Sequence, residues 1–345
     1  MDLPGVFQLA RRHSVTVAAA TALEQSIPLP SYFMEEKYMV IRRFLLFEVE
    51  RAKVLNELEQ NKIWYLPLKG IVIADDYPKK SMREMADNDI LYDPARQADV
   101  RSIMEQLGYT REISNVNYHD AFRKGTLLEF EMHYALLNKI AYPEFYAYYL
   151  DIKERLLPAS GSHFGFRMKE EDFYIFMIVH TYMHYITCGT GLRSLLDVYV
   201  FLQKHGEALD QTYIRGELSK LQLLSYEQQI RTLSFKVFTR QSLSEDEQRL
   251  LEFYILSNAH GTLENLMARE LGNDDSTEAK MKYALKRLFP SGKVLEKNHP
   301  VTARHKALYP FLVVYRPVKS VLKNRKLMFG EIKRLKNFRK KNLPE

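Results

Sequence analysis

Asp87 and Asp89 stand two residues apart in the run Asp87-Asn88-Asp89-Ile90-Leu91. On a strand, residues i and i+2 point the same way, so both carboxylates fall on one face a few ångströms apart. Like charges held that close repel unless a cation lies between them. Hard divalent ions such as Mg²⁺ choose carboxylate oxygens and keep several waters, which leaves room for substrate phosphates. Glu131, in Phe130-Glu131-Met132, sits centrally in a later strand candidate and is flanked by apolar residues. If that strand pairs beside the first, Glu131 becomes a third carboxylate of the same site. Glu129 lies on the same strand face and competes for that place. An isolated Asp-x-Asp is usually a solvated turn element. Here it follows Leu68-Lys69-Gly70 and Arg83 and precedes Glu131 in one ordered series.

Other chemistry-bearing residues are weaker signals. His180 and His184 are spaced i, i+4 on an apolar helix, which can bind a metal, but no Glu follows His180, and a packed pair is the simpler expectation. His133 shares the strand face of Glu131, where it could touch a metal or order that carboxylate. Arg193 and Asp197 are also i, i+4, which is the spacing of an intrahelical ion pair. The aromatic run Tyr142–Tyr149 could stack a base or sugar, though packing between the two domains is the favoured expectation. No nucleophile elbow is present, and Cys188-Gly189-Thr190-Gly191 lacks the Lys-Ser/Thr ending of a phosphate loop.

The elements that must position these residues follow from periodicity. Ser31 to Gln60 reads as a helix with Met34, Tyr38, Ile41, Leu45, Val49 and Val54 along it. Ile63–Leu68 and Asn88–Tyr92 read as strands, and Pro94 opens a helix over 95–107 that Gly108 ends. Segments 109–113, 115–122 and 126–133 are further strand candidates. From 170 onward the pattern is helical, near 170–187, 192–205, 211–222, 225–240, 245–258, 276–288 and 302–340. The fold class expected is therefore α+β. An N-terminal helical segment (1–62) precedes a small mixed-sheet domain (63–158). A Ser/Gly/Pro linker near 158–163 leads to a helical domain (164–322) and a basic tail (323–345).

Composition limits the function classes. The chain has 345 residues, 46% hydrophobic and 27% charged, values that exclude general disorder. A single cysteine excludes an internal disulfide framework and a multi-cysteine zinc module, and suits a reducing compartment. No apolar run reaches the length needed to span a bilayer. Arg11-Arg12 followed by Val15–Leu23 faintly imitates a signal sequence, but Thr16, Thr21, Glu24, Pro28 and Pro30 favour a packed helix, and a cytoplasmic location is expected. Residues 300–345 carry 13 Lys/Arg against 2 Asp/Glu, so the net charge of +7 belongs to the tail. Such a tail suits an acidic partner or an anionic membrane surface, or it is a solvated helix; composition leaves both open.

The ordered set resembles one family in particular. Leu68-Lys69-Gly70, Tyr77-Pro78, Arg83, Asp87-Asn88-Asp89-Ile90-Leu91, Leu107-Gly108-Tyr109, Glu131-Met132-His133, His180, His184, Gly191-Leu192-Arg193, Asp197 and Leu288-Phe289-Pro290-Ser291 occur in sequence. The pattern is similar to an uncharacterised bacterial nucleotidyltransferase family, with a Lys-Gly loop and an Arg…Asp-x-Asp motif, in the superfamily of DNA polymerase beta. The resemblance implies a metal-dependent transferase that moves a nucleoside monophosphate from a nucleoside triphosphate to a hydroxyl or phosphate acceptor. A small molecule, a glycan or a protein could be that acceptor. By the same resemblance, Asp87 and Asp89 would hold two Mg²⁺ or Mn²⁺ ions and Glu131 one of them, Glu131 also serving as or positioning the base. Lys69, Gly70 and Arg83 would meet phosphates, and Arg193 would face the cleft. Two positions depart from the superfamily. Lys69-Gly70 replaces the usual Gly-Ser or Gly-Gly, and Asn88 replaces an apolar residue between the acids. Both departures also permit a catalytically inactive protein that binds a nucleotide or a partner on the same fold.

Overall fold

The computed structural model describes residues 1–112, 118–272, 274–288 and 334–338. The chain divides into two compact units, one of Met1–Thr181 with Leu192–Leu243, the other of Tyr182–Gly191 with Ser244–Glu345.

The first unit opens with α1 (Leu3–Arg12), whose first turn Asp2 caps by accepting the Gly5 N–H at 3.0 Å. α2 (Thr16–Leu23) follows and buries Val17 and Ala20, as expected of a packed helix. Pro30 then starts α3 (Ser31–Gln60). Its buried face is Phe33, Phe44, Phe47, Val54 and Leu58, whereas Tyr38, Leu45 and Val49 are exposed. The apolar stripe expected from spacing is therefore largely on the outer side. α3 carries apolar residues all round, and only its neighbours decide which row is covered.

Next come β1 (Tyr65–Pro67), the short α4 (Gly70–Ile73), β2 (Asn88–Tyr92), α5 (Gln97–Gln106), β3 (Thr110–Arg111), β4 (His119–Lys124) and β5 (Leu128–His133). Asp93 caps the 3₁₀ turn into α5 by accepting the Ala95 N–H, and Gly108, at φ +83°, ends the helix. The five strands form one sheet in the order β1-β2-β5-β4-β3. β2 and β5 run parallel, and the other neighbours are antiparallel. The register pairs Asn88 with Phe130, Asp89 with Glu131, and Leu91 with His133.

Strand alternation splits this sheet into two chemistries. Ile90, Tyr92, Phe122, Phe130 and Met132 lie in one apolar cluster with Val54 and Leu58 of α3 and Val100, Ile103 and Met104 of α5. Asp89, Glu131 and His133 share the opposite face. Each fully buried aliphatic or aromatic side chain contributes about 2 kcal/mol, so the helix-covered face supplies the stability and the other is left for charge.

The remainder of this unit holds α6 (Pro143–Tyr148), the two-residue strands β6 (Leu157–Pro158) and β7 (Phe166–Arg167), and helices α7 (Glu170–Tyr185), α8 (Leu192–His205), α9 (Gln211–Lys220) and α10 (Leu224–Phe238). Of α7, only the residues up to Thr181 belong to this unit. The Ser/Gly/Pro segment expected as a linker connects β6 to β7. Glu59, near the end of α3, accepts backbone N–H groups from His163, Phe164 and Gly165 of that connection. Phe145 and Tyr149 of the aromatic run are buried, with Tyr149 edge-on to Phe176 at 5.8 Å.

In the second unit, Ser244 and Glu247 form a capping box that starts α11 (Glu245–Ser257). α12 (Leu263–Glu270) and α13 (Thr277–Leu288) follow. α12 was not legible in the sequence, because its eight residues give too few turns for periodicity. Leu335 and Phe338, expected in an exposed tail, are buried with Met267, Ala268, Leu271 and Tyr283. The expected helix over 302–340 otherwise lies outside the described residues. Among the described residues, no helix is long and apolar enough to cross a membrane.

Candidate functional site

Asp89 and Glu131 are direct neighbours across the parallel pair β2–β5. Asp87 lies just before β2, two residues from Asp89, and is electrostatically coupled to both acids. Asp87, Asp89 and Glu131 are thus near enough to act on one another's charge. Glu129, the competing acid, is paired with Arg123 at 3.0 Å.

The electrostatics of the site are unequal. The Lys69 ammonium lies 2.5 Å from Asp89 Oδ1 and 4.0 Å from Glu131 Oε2. His133 Nε2 is 2.9 Å from the same Asp89 oxygen and 3.4 Å from Glu131 Oε2. Burial alone would raise the Asp89 pKa, but Lys69 and His133 hold it well below the usual range. Burial and the adjacent Asp89 charge push Asp87 the other way, up to about 7. Lys69 is buried at a cost to its charge, yet Asp89, Glu131 and Asp87 raise its pKa overall. Three acids therefore share one ammonium and the His133 ring, whose pKa Asp89 and Glu131 raise against the effect of burial, and Asp87 is the acid whose charge is least compensated. That is the donor set and the charge imbalance that a hard divalent cation fits.

Lys69 reaches this position through an unusual backbone. Its φ is +47°, a region that favours glycine and costs other residues roughly 1 kcal/mol. Gly70 follows at the start of α4, where an added Cβ would lie 3.0 Å from the Met85 side chain. The order Lys-Gly thus puts the strained torsion on the residue that carries the charge.

Arg83 and Arg193 hold the loop that leads into β2. Arg83 Nε donates to Asp197 Oδ1 at 2.7 Å, and Tyr77 Oη donates to the same oxygen at 2.7 Å. Arg83 Nη1 and Arg193 Nη1 both donate to the Glu84 carbonyl, at 2.6 and 3.2 Å, and Arg43 donates to the Ala86 carbonyl at 2.7 Å. Asp197 thus binds Arg83 from a distant segment. Arg193 is turned to the loop, where burial and the nearby Arg83 lower its pKa to about 10 and Asp87 is felt as a counter-charge. Asn88, on the apolar face, finds one partner, with Arg51 Nη1 donating to its Oδ1 at 2.9 Å. Beside Glu84, a cavity of about 660 Å³ is lined by Arg11, Arg12, Arg42 and Arg43 with Glu36 and Glu84.

A family model described as "uncharacterised nucleotidyltransferase" matches residues 1–239. The chain belongs to this family. The nucleotidyltransferase match covers every site residue named above, Asp197 included. No curated protein matches the chain. Among solved structures, the antibiotic-resistance factor ANT(2'')-Ia is similar at 11% identity, covering 52% of this chain and 95% of its own. Its TM-score of 0.38 is too low to define the fold of this nucleotidyltransferase.

One site-lining residue was not legible in the sequence. His119, on β4, pairs with His133 in the strand register, and its Nε2 lies 3.5 Å from Glu131 Oε1. The signal would have been the β4–β5 register, which the turn at Lys124-Gly125 sets and no local pattern around His119 records.

Proposed function

We propose that this chain is a metal-dependent nucleotidyltransferase that transfers a nucleoside monophosphate from a nucleoside triphosphate to a hydroxyl or phosphate acceptor. The observation that carries the reading is the Asp89–Glu131 pairing on parallel strands with Asp87 two residues upstream on the same face. Asp87, Asp89 and Glu131 would hold Mg²⁺ or Mn²⁺. When bound, the ions stabilise the attacking and leaving oxygens of an in-line displacement.

The chain's own groups supply the rest. Lys69 carries a fixed positive charge at the mouth of the acid cluster, suited to a phosphate oxygen once a cation takes over the Asp89 charge. The Glu131 side chain is 21% exposed and that of Asp89 5%, so Glu131 is the acid better placed to receive a proton from an acceptor hydroxyl. Arg83, Arg193 and Arg43 hold the carbonyls of the loop before Asp87, which keeps the acids in register for the displacement. The arginine-lined cavity beside Glu84 suits an anionic acceptor or donor group.

The test is label transfer and pyrophosphate release from each α-labelled triphosphate with Mg²⁺ or Mn²⁺, with candidate acceptors present. Release that falls at least about 10³-fold in the Asp87→Ala/Asp89→Ala protein supports the reading. A folded wild-type protein that neither binds a triphosphate with metal nor releases pyrophosphate overturns it in favour of a partner-binding role.

A further inference from the structure

His119 and His133 are two imidazoles, 6% and 0% exposed, at the back of the acid cluster. They are cross-strand partners on one face of the sheet, with ring centroids 4.9 Å apart. Glu131 sits between them, one oxygen toward each ring: Oε1 lies 3.5 Å from His119 Nε2 and Oε2 lies 3.4 Å from His133 Nε2. Both separations are long for hydrogen bonds. Each ring nitrogen thus has a different Glu131 oxygen beside it, and His133 Nε2 also meets Asp89 Oδ1 at 2.9 Å. One donor atom from each of His119, Glu131 and His133 lies within 4.8 Å of the others. Ala121 faces Glu131 across the β4–β5 pair, and Tyr118 packs against both rings, with centroids 4.6 Å from His119 and 5.5 Å from His133.

The donor chemistry differs from that of the carboxylates beside it. Two imidazoles and one carboxylate suit borderline first-row ions, whereas Mg²⁺ takes oxygen ligands. Three protein ligands leave a fourth position open.

We propose that His119, Glu131 and His133 form a cation position of their own, which takes a borderline divalent ion such as Zn²⁺ or Co²⁺ in preference to Mg²⁺. This assignment shares Glu131 with the transfer reading, and His133 would give up its contact with Asp89 to take the ion. Its strength is bounded by a missing outer contact. The Nδ1 atoms of both rings are buried and have no hydrogen-bond partner among the described residues. Ligating imidazoles normally donate through that nitrogen, and loss of such a contact costs 10–100-fold in affinity.

The experiment uses untagged, metal-free full-length protein, titrated with Co²⁺ and followed by visible absorption, with Mg²⁺ in large excess throughout. One Co²⁺ should bind with the intense d–d bands of a low-coordinate nitrogen–oxygen site, and Zn²⁺ should displace it. His119→Ala should weaken binding at least tenfold, and His163→Ala, at an exposed surface histidine, should leave it unchanged. As a measurement that needs no variant, the imidazole nitrogen NMR signals of both His119 and His133 should shift on adding Zn²⁺. Absence of binding under excess Mg²⁺, binding that survives His119→Ala, or Zn²⁺ shifts confined to other histidines would each overturn the assignment. Transfer activity does not enter any of these readouts, so failure here leaves the function test untouched, and the converse holds.

Discussion

Glu50 and Asp87 are two acids of the same unit with opposite settings. Glu50, on α3, accepts from Lys124 Nζ at 2.9 Å, Tyr109 Oη at 2.9 Å and Lys53 Nζ at 2.5 Å. Burial would raise its pKa, but these three donors pull it down to about 2. Asp87 has burial and Asp89 acting together, with Lys69 as the main opposing charge, and stands near 7. A structural acid is surrounded until its charge is satisfied. The acid at the site is left with charge to spare, which costs stability and creates affinity for a cation.

The comparison can be broken most strongly where a paired acid is removed from partners that stay buried. Asp197→Ala strips Arg83 and Tyr77 of their shared acceptor and should cost about 3–4 kcal/mol, measured by urea unfolding. If Asp197 instead served only the surface of α8, the loss would stay under about 1 kcal/mol.

The Asp87 setting predicts an unusual pH dependence. Its folded pKa is raised above the unfolded value, so the folded state holds the extra proton between roughly pH 4 and 7. Metal-free protein should therefore lose stability as pH rises through that window. Asp87→Asn should remove the slope and be more stable than wild type by about 2 kcal/mol at pH 8. Added Mg²⁺ should stabilise wild type at pH 8 and have little effect on the variant. A variant less stable than wild type at pH 8 would contradict the surplus-charge reading.

Glu50 supplies the opposite sign. Its depressed pKa contributes stability that is complete above about pH 4.5 and is lost as pH falls toward 2. Glu50→Gln should lower stability at pH 7 by about 1–2 kcal/mol and flatten the acid limb of the unfolding curve. The smallest effect is expected at Gly70→Ala. Its Cβ would crowd the flexible Met85 side chain, at 3.0 Å, and reach Arg83 Nη1 at an ordinary 3.5 Å, so the melting temperature should fall by no more than a few degrees.

Much of the site was readable before folding because its signals are local. The Asp87/Asp89 spacing puts two acids on one face of any strand, and apolar neighbours mark Glu131 as part of another. What they become depends on the pairing of β2 with β5, which joins residues more than forty positions apart. His119 and the grip of Asp197 on Arg83 were not readable for the same reason. Asp197 illustrates it: its spacing to Arg193 suggested a local pair, yet its bond goes to a residue 114 positions away.

The amino-acid sequence alone determined the α+β class, most of the elements and the shared face of Asp87 and Asp89, since these follow from periods of two and 3.6; the choice of Glu131 over Glu129 and the role of Lys69-Gly70 came from the family resemblance. Tertiary structure decided which row of α3 is buried, that residues 334–338 hold Leu335 and Phe338 against α12 and α13, and which charges meet. Those outcomes depend on burial and on distance between segments remote in sequence, and an ion's pKa or a helix's inner face has no value until its neighbours are in place.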